Sequence, residues 1–115
     1  MNPKLKKHFQ NELNLAITAM NDSKRELAWT HFSRAHILGQ FFVGPHLQVH
    51  FWMFLLALKT FNTQEIISQI PCLILAAPGS IFKKAPLGNT GLSNVGIFQP
   101  MPIPSDLNQI LNEKE

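Results

Sequence analysis

His46 and His50 stand four residues apart, the spacing that stacks two side chains on one helical face. They belong to a stretch, 31–58, that holds four of the five histidines. Between Arg34 and Lys59 there is no Asp, Glu, Lys or Arg, so His36, His46 and His50 are the side chains there that titrate near neutral pH. If the helices on either side of Phe42 form a hairpin, residue 35 lies opposite residue 50. His36 then falls near the level of His46 and His50. The same count across the preceding turn brings His8 near His36. Three imidazoles on two packed helices, with a fourth position open, is a common construction for a transition-metal site in a bundle. Neutral imidazole suits zinc, copper and nickel, and a thioether from Met53, which continues the same face, favours Cu(I). The candidate ligands are therefore His36, His46 and His50, with His31 and Met53 in the same candidate pocket. No carboxylate within the stretch can orient an imidazole, although Glu12 of the preceding helix falls roughly opposite His31. The competing reading is a buried polar network in which each histidine donates a ring proton to a neighbour and packs its ring.

Other chemistry has less support. His46-Leu47-Gln48-Val49-His50 lacks the Glu of the H-E-x-x-H hydrolases. No strand–turn–helix elbow presents a nucleophilic serine. Gly88-Asn89-Thr90-Gly91, after Lys83-Lys84, has the glycines of an anion-binding turn but matches no phosphate-loop pattern and follows no strand, so it reads as a tight turn. Cys72 follows Pro71 and precedes Leu73, Ile74 and Leu75, the setting of an inert buried thiol. As the single cysteine, it leaves no intramolecular disulfide and fits a reducing compartment.

The elements that would position these residues are helical. Asn2-Pro3 supplies a cap and a first-turn proline, and Phe9, Leu13, Ala16, Ile17 and Met20 then mark one helical face. Ser23 and Glu26 have the spacing of a capping box for a second helix, Lys24 to Gln40, with an inner stripe of Ala28, Phe32, Ala35 and Gly39. Gly44-Pro45 starts a third helix, apolar on nearly every side and so expected at the centre of the molecule. Asn62 with Glu65 caps a fourth, with Ile66, Ile67 and Ile70 as its stripe. Pro71 predicts a kink or restart, and Pro78-Gly79 an end. From 78 to 104, Pro78, Pro86, Pro100, Pro102, Pro104 and Gly79, Gly88, Gly91, Gly96 predict irregular backbone. Ile81, Phe82, Leu87, Leu92, Val95, Ile97 and Phe98 require that segment to lie over the helices. Ser105-Asp106 opens a short last helix ending at residue 112.

The expected architecture is one all-α domain over 1–115. It has a helical core at 2–77, a wrapping Pro/Gly-rich segment at 78–104 and a short helix at 105–112. The 115 residues and 45% hydrophobic content suit a single core. The net charge of +3 comes from small basic clusters interleaved with Glu12, Asp22, Glu26 and Glu65, which reads as a solvated surface rather than a nucleic-acid face. No secretory signal is read at the N-terminus. The apolar run at 51–58 is far short of the roughly 20 residues that span a bilayer, so a cytoplasmic location with no membrane is expected.

Two resemblances add to this. Ala16, Ala28, Phe32 and Ala35 are spaced as in a tetratricopeptide helix pair, although Glu12 stands where that family favours Trp and Gln40 where it favours Pro. The likeness implies antiparallel packing of neighbouring helices. Over nearly the whole chain, Arg34-Ala35-His36-Ile37-Leu38-Gly39-Gln40, His46 with Val49-His50, Gly88-Asn89-Thr90-Gly91 and Pro102-Ile103-Pro104 resemble a small bacterial family of uncharacterised domains. That resemblance implies a small helical protein and carries over no catalytic residue. The leading expectation for function is a non-enzymatic binding or adaptor protein that takes a protein partner or self-associates, motivated by the missing catalytic motifs and by nine Phe and two Trp. The second is a transition-metal-binding protein using His36, His46 and His50 for zinc or copper. An enzyme working in that pocket is the third.

Overall fold

Five helices in chain order build the protein: α1 (Pro3–Asn21), α2 (Arg25–Gly39), α3 (Val43–Lys59), α4 (Thr63–Ile81) and α5 (Ser105–Asn112). The computed structural model describes residues 1–81, 90–92 and 100–113, with side chains described up to residue 74 in α4. Among the described residues there is no strand. Short connections at 22–24 and 60–62 force α1 against α2 and α3 against α4. The two antiparallel hairpins join through α2 and α3, and α5 lies on α1 and α2. The fold is all-α.

The first hairpin forms as its pattern predicts. Asn2 Oδ1 accepts from the Leu5 N–H at 2.7 Å, and Pro3 occupies the first helical position, where its missing N–H costs nothing. Leu13, Ala16, Ala28, Phe32 and Ala35 are fully buried between α1 and α2, and the small residues allow the close approach. The capping box of Ser23 and Glu26 does not form: Lys24 is the N-cap of α2 and no side chain caps it. Ser23 serves the previous helix instead. It takes φ +61°, its N–H bonds to Met20 O at 3.1 Å, and the Lys24 N–H bonds to Ala19 O at 2.8 Å. This is the paired closure that satisfies the last carbonyls of a helix, and a residue held there cannot also turn its hydroxyl to the next helix. Phe61 closes α3 in the same way, with φ +54°. Its N–H meets Leu58 O at 3.3 Å, and the Asn62 N–H meets Ala57 O at 2.9 Å. Asn62 then caps α4, accepting from the Glu65 N–H at 3.2 Å.

The second hairpin departs from expectation in four respects. α3 begins at Val43, two residues before Pro45, which falls within the first turn where a proline is tolerated. It is not enclosed on all sides. Val49, Met53, Leu56 and Ala57 are buried, but Phe51 and Leu58 are exposed, because α3 packs mainly on α2 and α4 and its outer side faces solvent. Among the described side chains of α4 the buried ones are Glu65 and Gln69, while Ile67, Ile70 and Ile74 face outward. The helix is thus turned away from its isoleucine stripe. It also runs through Pro71 and Pro78-Gly79 without ending. Pro71 is exposed, so the carbonyl that loses its donor there can bond to water.

Of the proline- and glycine-rich segment, Leu92 and Ile103 pack against the core. Phe82, Lys83, Lys84, Leu87, Gly88, Asn89, Val95, Ile97 and Phe98 lie outside the described residues. Leu107 of α5 is fully buried. No helix among the described residues is long and apolar enough to cross a membrane.

Phe61 is 88% exposed and holds a left-handed conformation that costs a non-glycine residue roughly 1–2 kcal/mol. Phe61→Gly should therefore raise stability by about 0.5–1 kcal/mol after the entropic cost of glycine in the unfolded chain. The measurement is the denaturation midpoint at constant slope, and a lower midpoint would mean that the ring contributes more than its exposure implies.

Candidate metal centre

The site lies where the C-terminal turn of α2 meets the N-terminal turns of α3. Gly39 makes that meeting close. A Cβ there would stand 2.9 Å from Phe9 Cε2 and 3.0 Å from Pro45 Cβ, so α1, α2 and α3 converge on a position that holds no side chain. His46 follows Pro45 directly, and His36 sits one turn before Gly39. The hairpin therefore brings a histidine of α2 level with the pair on α3.

The three side chains meet at their Nε2 atoms. His36 Nε2 is 3.0 Å from His50 Nε2 and 3.2 Å from His46 Nε2, and His46 Nε2 is 3.2 Å from His50 Nε2. The ring centroids are 4.7–4.9 Å apart, and His36 stands nearly edge-on to the other two. The residues are only 4%, 6% and 2% exposed for His36, His46 and His50. Among the described residues this is the group of three or more His, Cys, Asp or Glu that could hold a metal ion.

Such a triangle cannot satisfy itself. A ring nitrogen of neutral imidazole carries either a proton or a lone pair, so it donates or accepts but does not do both. Among three mutually adjacent nitrogens, at least two share the same role and cannot bond to each other. A cation between them accepts all three lone pairs at once. The spacing fits: a tetrahedral zinc ion with bonds of about 2.0–2.1 Å sets its ligand atoms about 3.3 Å apart.

Behind His50 stands a second polar layer, contributed by α4. His50 Nδ1 lies 2.6 Å from Gln69 Oε1, and Gln69 is completely buried. The Gln69 amide nitrogen donates to Glu65 Oε2 at 3.1 Å and to the Gly91 carbonyl at 2.9 Å. Two acceptors on the NH2 group establish which way the amide points, so its oxygen faces His50. His50 must then donate from Nδ1, and its Nε2 presents a lone pair to the centre. Gly91 closes the side near α2. With φ +80°, it takes a conformation suited to glycine, and a Cβ there would lie 2.7 Å from His36 Cδ2 and 2.9 Å from His36 Nε2.

Met53 is fully buried one turn beyond His50 on α3. His31 does not join the cluster. Its Nδ1 lies 2.7 Å from Glu12 Oε2, and the other oxygen of Glu12 accepts from Arg34 Nε at 2.8 Å. Arg34 also pairs with Asp106 of α5 through Nη2, which raises the guanidinium pKa and lowers that of the carboxyl. Glu12 thus anchors the first hairpin rather than orienting a ligand. His8 is drawn to the chain end, with Nε2 3.8 Å from Glu113 Oε2. Burial, helped by the charge of Glu65, pushes the Cys72 thiol up to about 11, so it is protonated and unreactive at neutral pH. Reasoning from sequence missed Glu65 and Gln69. Their signal was an acid and an amide four apart on a helix, which the neighbouring isoleucines masked.

Burial lowers the pKa of His50 from its ordinary 6.5, against smaller raising contributions from the Gln69 bond and the charge of Glu65. A base whose folded pKa is depressed leaves the unfolded chain binding more protons. Stability is then fully present above about pH 6.5 and falls as the pH drops from there toward the folded value. In the ion-free protein the denaturation midpoint should decline from about pH 7 to pH 5, and His50→Ala should flatten that decline. Parallel profiles for wild type and variant would show that this ring is not held neutral by burial.

No curated protein and no solved structure matches the chain. A family model does match, over residues 3–111, and its description is "Protein of unknown function (DUF3703)". With all but a few terminal residues aligned, and with the helices and the histidine triad inside the aligned span, the chain belongs to the DUF3703 family.

Proposed function

We propose that the protein binds a transition-metal ion through Nε2 of His36, His46 and His50. The observation that carries this reading is the triangle of buried ring nitrogens at 3.0–3.2 Å, close to the spacing of the ligand atoms around a tetrahedral ion. Three imidazoles suit zinc and copper and leave a fourth position for an exogenous ligand. Burial of the triad in the junction between the hairpins means that the ion also ties α2 to α3. The test is the metal content of protein purified without a histidine tag, followed by zinc and Cu(I) titration of wild type and the three His→Ala variants. One ion per chain is expected. Each substitution should weaken binding by more than the roughly 10- to 100-fold that loss of a ligand's hydrogen-bond partner costs. A wild-type affinity no tighter than micromolar would overturn the reading.

A second reading, contact with a protein partner or self-association, rests on a separate observation. Ile67 and Ile74 are each 69% exposed, with Ile70 between them, forming an apolar line along the outer side of α4. Phe51 and Leu58 add exposed apolar surface on α3. Light scattering over a concentration series should detect association that Ile67→Asp with Ile74→Asp abolishes. A wild type that stays monomeric throughout would remove self-association.

A further inference from the structure

Gln69 hydrogen-bonds to two parts of the site at once: a histidine of α3, and the segment that closes over the histidine of α2. We propose that Gln69 is the positioning residue of the metal centre, and that through it ion binding is coupled to the seating of Thr90–Leu92. This rests on the reading of His36, His46 and His50 as ligands.

The first half of the proposal follows from the amide's full set of partners. Gln69 Oε1 takes the proton of His50 Nδ1, while one N–H goes to Glu65 and the other to Gly91. Reversing the amide would set its oxygen against two oxygens. The His50 ring is therefore held in one tautomer and one orientation before any ion arrives, with the Nε2 lone pair aimed at the other two rings. The buried Glu65 carboxylate behind the amide polarises it in the sense that favours a cation at the far side of the ring.

The second half follows from the other end of the same amide. The Gly91 carbonyl is held by Gln69, and the Gly91 backbone rests against His36 so closely that a methyl group would meet the ring at 2.7 Å. Contacts thus run in a closed circuit from His50 to Gln69, to Gly91, to His36 and back to His50 at 3.0 Å. An ion that fixes His36 and His50 fixes two of the surfaces on which Gly91 is seated. By linkage, whatever seats Gly91 favours the ion to the same degree.

The experiment measures zinc affinity by competition, the absorption of the Co(II)-loaded protein, and amide exchange across Thr90–Leu92 with and without zinc. Wild type, Gln69→Leu and the exchanged pair Glu65→Gln/Gln69→Glu are compared. In wild type, zinc should slow exchange at these amides. Gln69→Leu should weaken zinc binding by about 10- to 100-fold, alter the Co(II) bands and erase the zinc-dependent protection. The exchanged pair keeps an acceptor on His50 and a donor behind it, so zinc affinity should return to within about tenfold of wild type. Having no N–H for the Gly91 carbonyl, it should leave the protection lost. Equal zinc affinity in wild type and Gln69→Leu would overturn the positioning role. Unchanged exchange at Thr90–Leu92 on adding zinc to wild type would overturn the coupling, and that arm needs no variant to fold. A wild type that binds neither zinc nor Co(II) would instead remove the reading beneath both.

Discussion

A ring nitrogen has one lone pair or one proton, and three of them crowded into one buried point cannot serve one another. That constraint organises the junction between the two hairpins. His36, His46 and His50 lie within an interface whose neighbours are Ile37, Leu38, Val49 and Met53, all buried. Apolar side chains at the three positions would have packed there without conflict. What makes the histidines tolerable is geometry: Gly39, at the end of α2, brings α2 and α3 together, and Gln69 of α4 holds one ring in its donor–acceptor roles. The arrangement resembles a ligand set held ready for a cation more than a generic polar network, whose members would alternate as donors and acceptors.

α4 is the element that changes most in significance between sequence and structure. Read by hydropathy, it is a core helix with isoleucines facing inward. In the fold it turns a polar pair, Glu65 and Gln69, toward the histidines and leaves Ile67, Ile70 and Ile74 outside. The inversion has a cost, because apolar surface stays in water and a carboxylate loses much of its hydration. Hydrogen bonds that Gln69 donates to Glu65 and Gly91 and accepts from His50 offset part of it. A helix that forgoes its favoured face for a hydrogen-bonded one indicates that the polar contact matters to the molecule.

Much of the helical plan could be read from the residues. The cap at Asn2, the buried stripe Ala28, Phe32, Ala35 and Gly39, and the short last helix all follow from local pattern. So does the meeting of His36 with His46 and His50, because a hairpin with a short turn leaves little freedom in register. What stayed hidden depended on competition between neighbours. Ser23 had two offers, to cap α2 or to close α1, and spacing alone does not say which one prevails. The run Ile66, Ile67, Ile70 outweighed Glu65 and Gln69 in any hydropathy count, yet the orientation of α4 was decided by hydrogen-bond partners on α3. Glu12 could be placed opposite His31, but the role of Arg34 in bridging Glu12 to Asp106 could not be read without the position of α5. Gly91 looked like a turn residue, and its contact with His36 spans 55 positions of chain.

The energetic logic of the junction ties its chemistry to its folding. Without an ion, two hairpins are held together across an interface that includes three buried imidazoles whose Nε2 atoms cannot all pair with one another. On the metal-binding reading, an ion converts that arrangement into three bonds, and because the unfolded chain offers no preformed triangle, its binding free energy adds to folding stability. The cost in the empty form and the gain in the loaded form fall on the same pair of helices. α1 and α2, closed by α5 through Arg34 and Asp106, contribute most of the described residues of the apolar core. Among the described residues, α3 and α4 have fewer buried apolar side chains, and they lean on the junction. Ion binding would therefore act most strongly on the second hairpin, the one that carries His46, His50, Gln69 and the exposed isoleucines together.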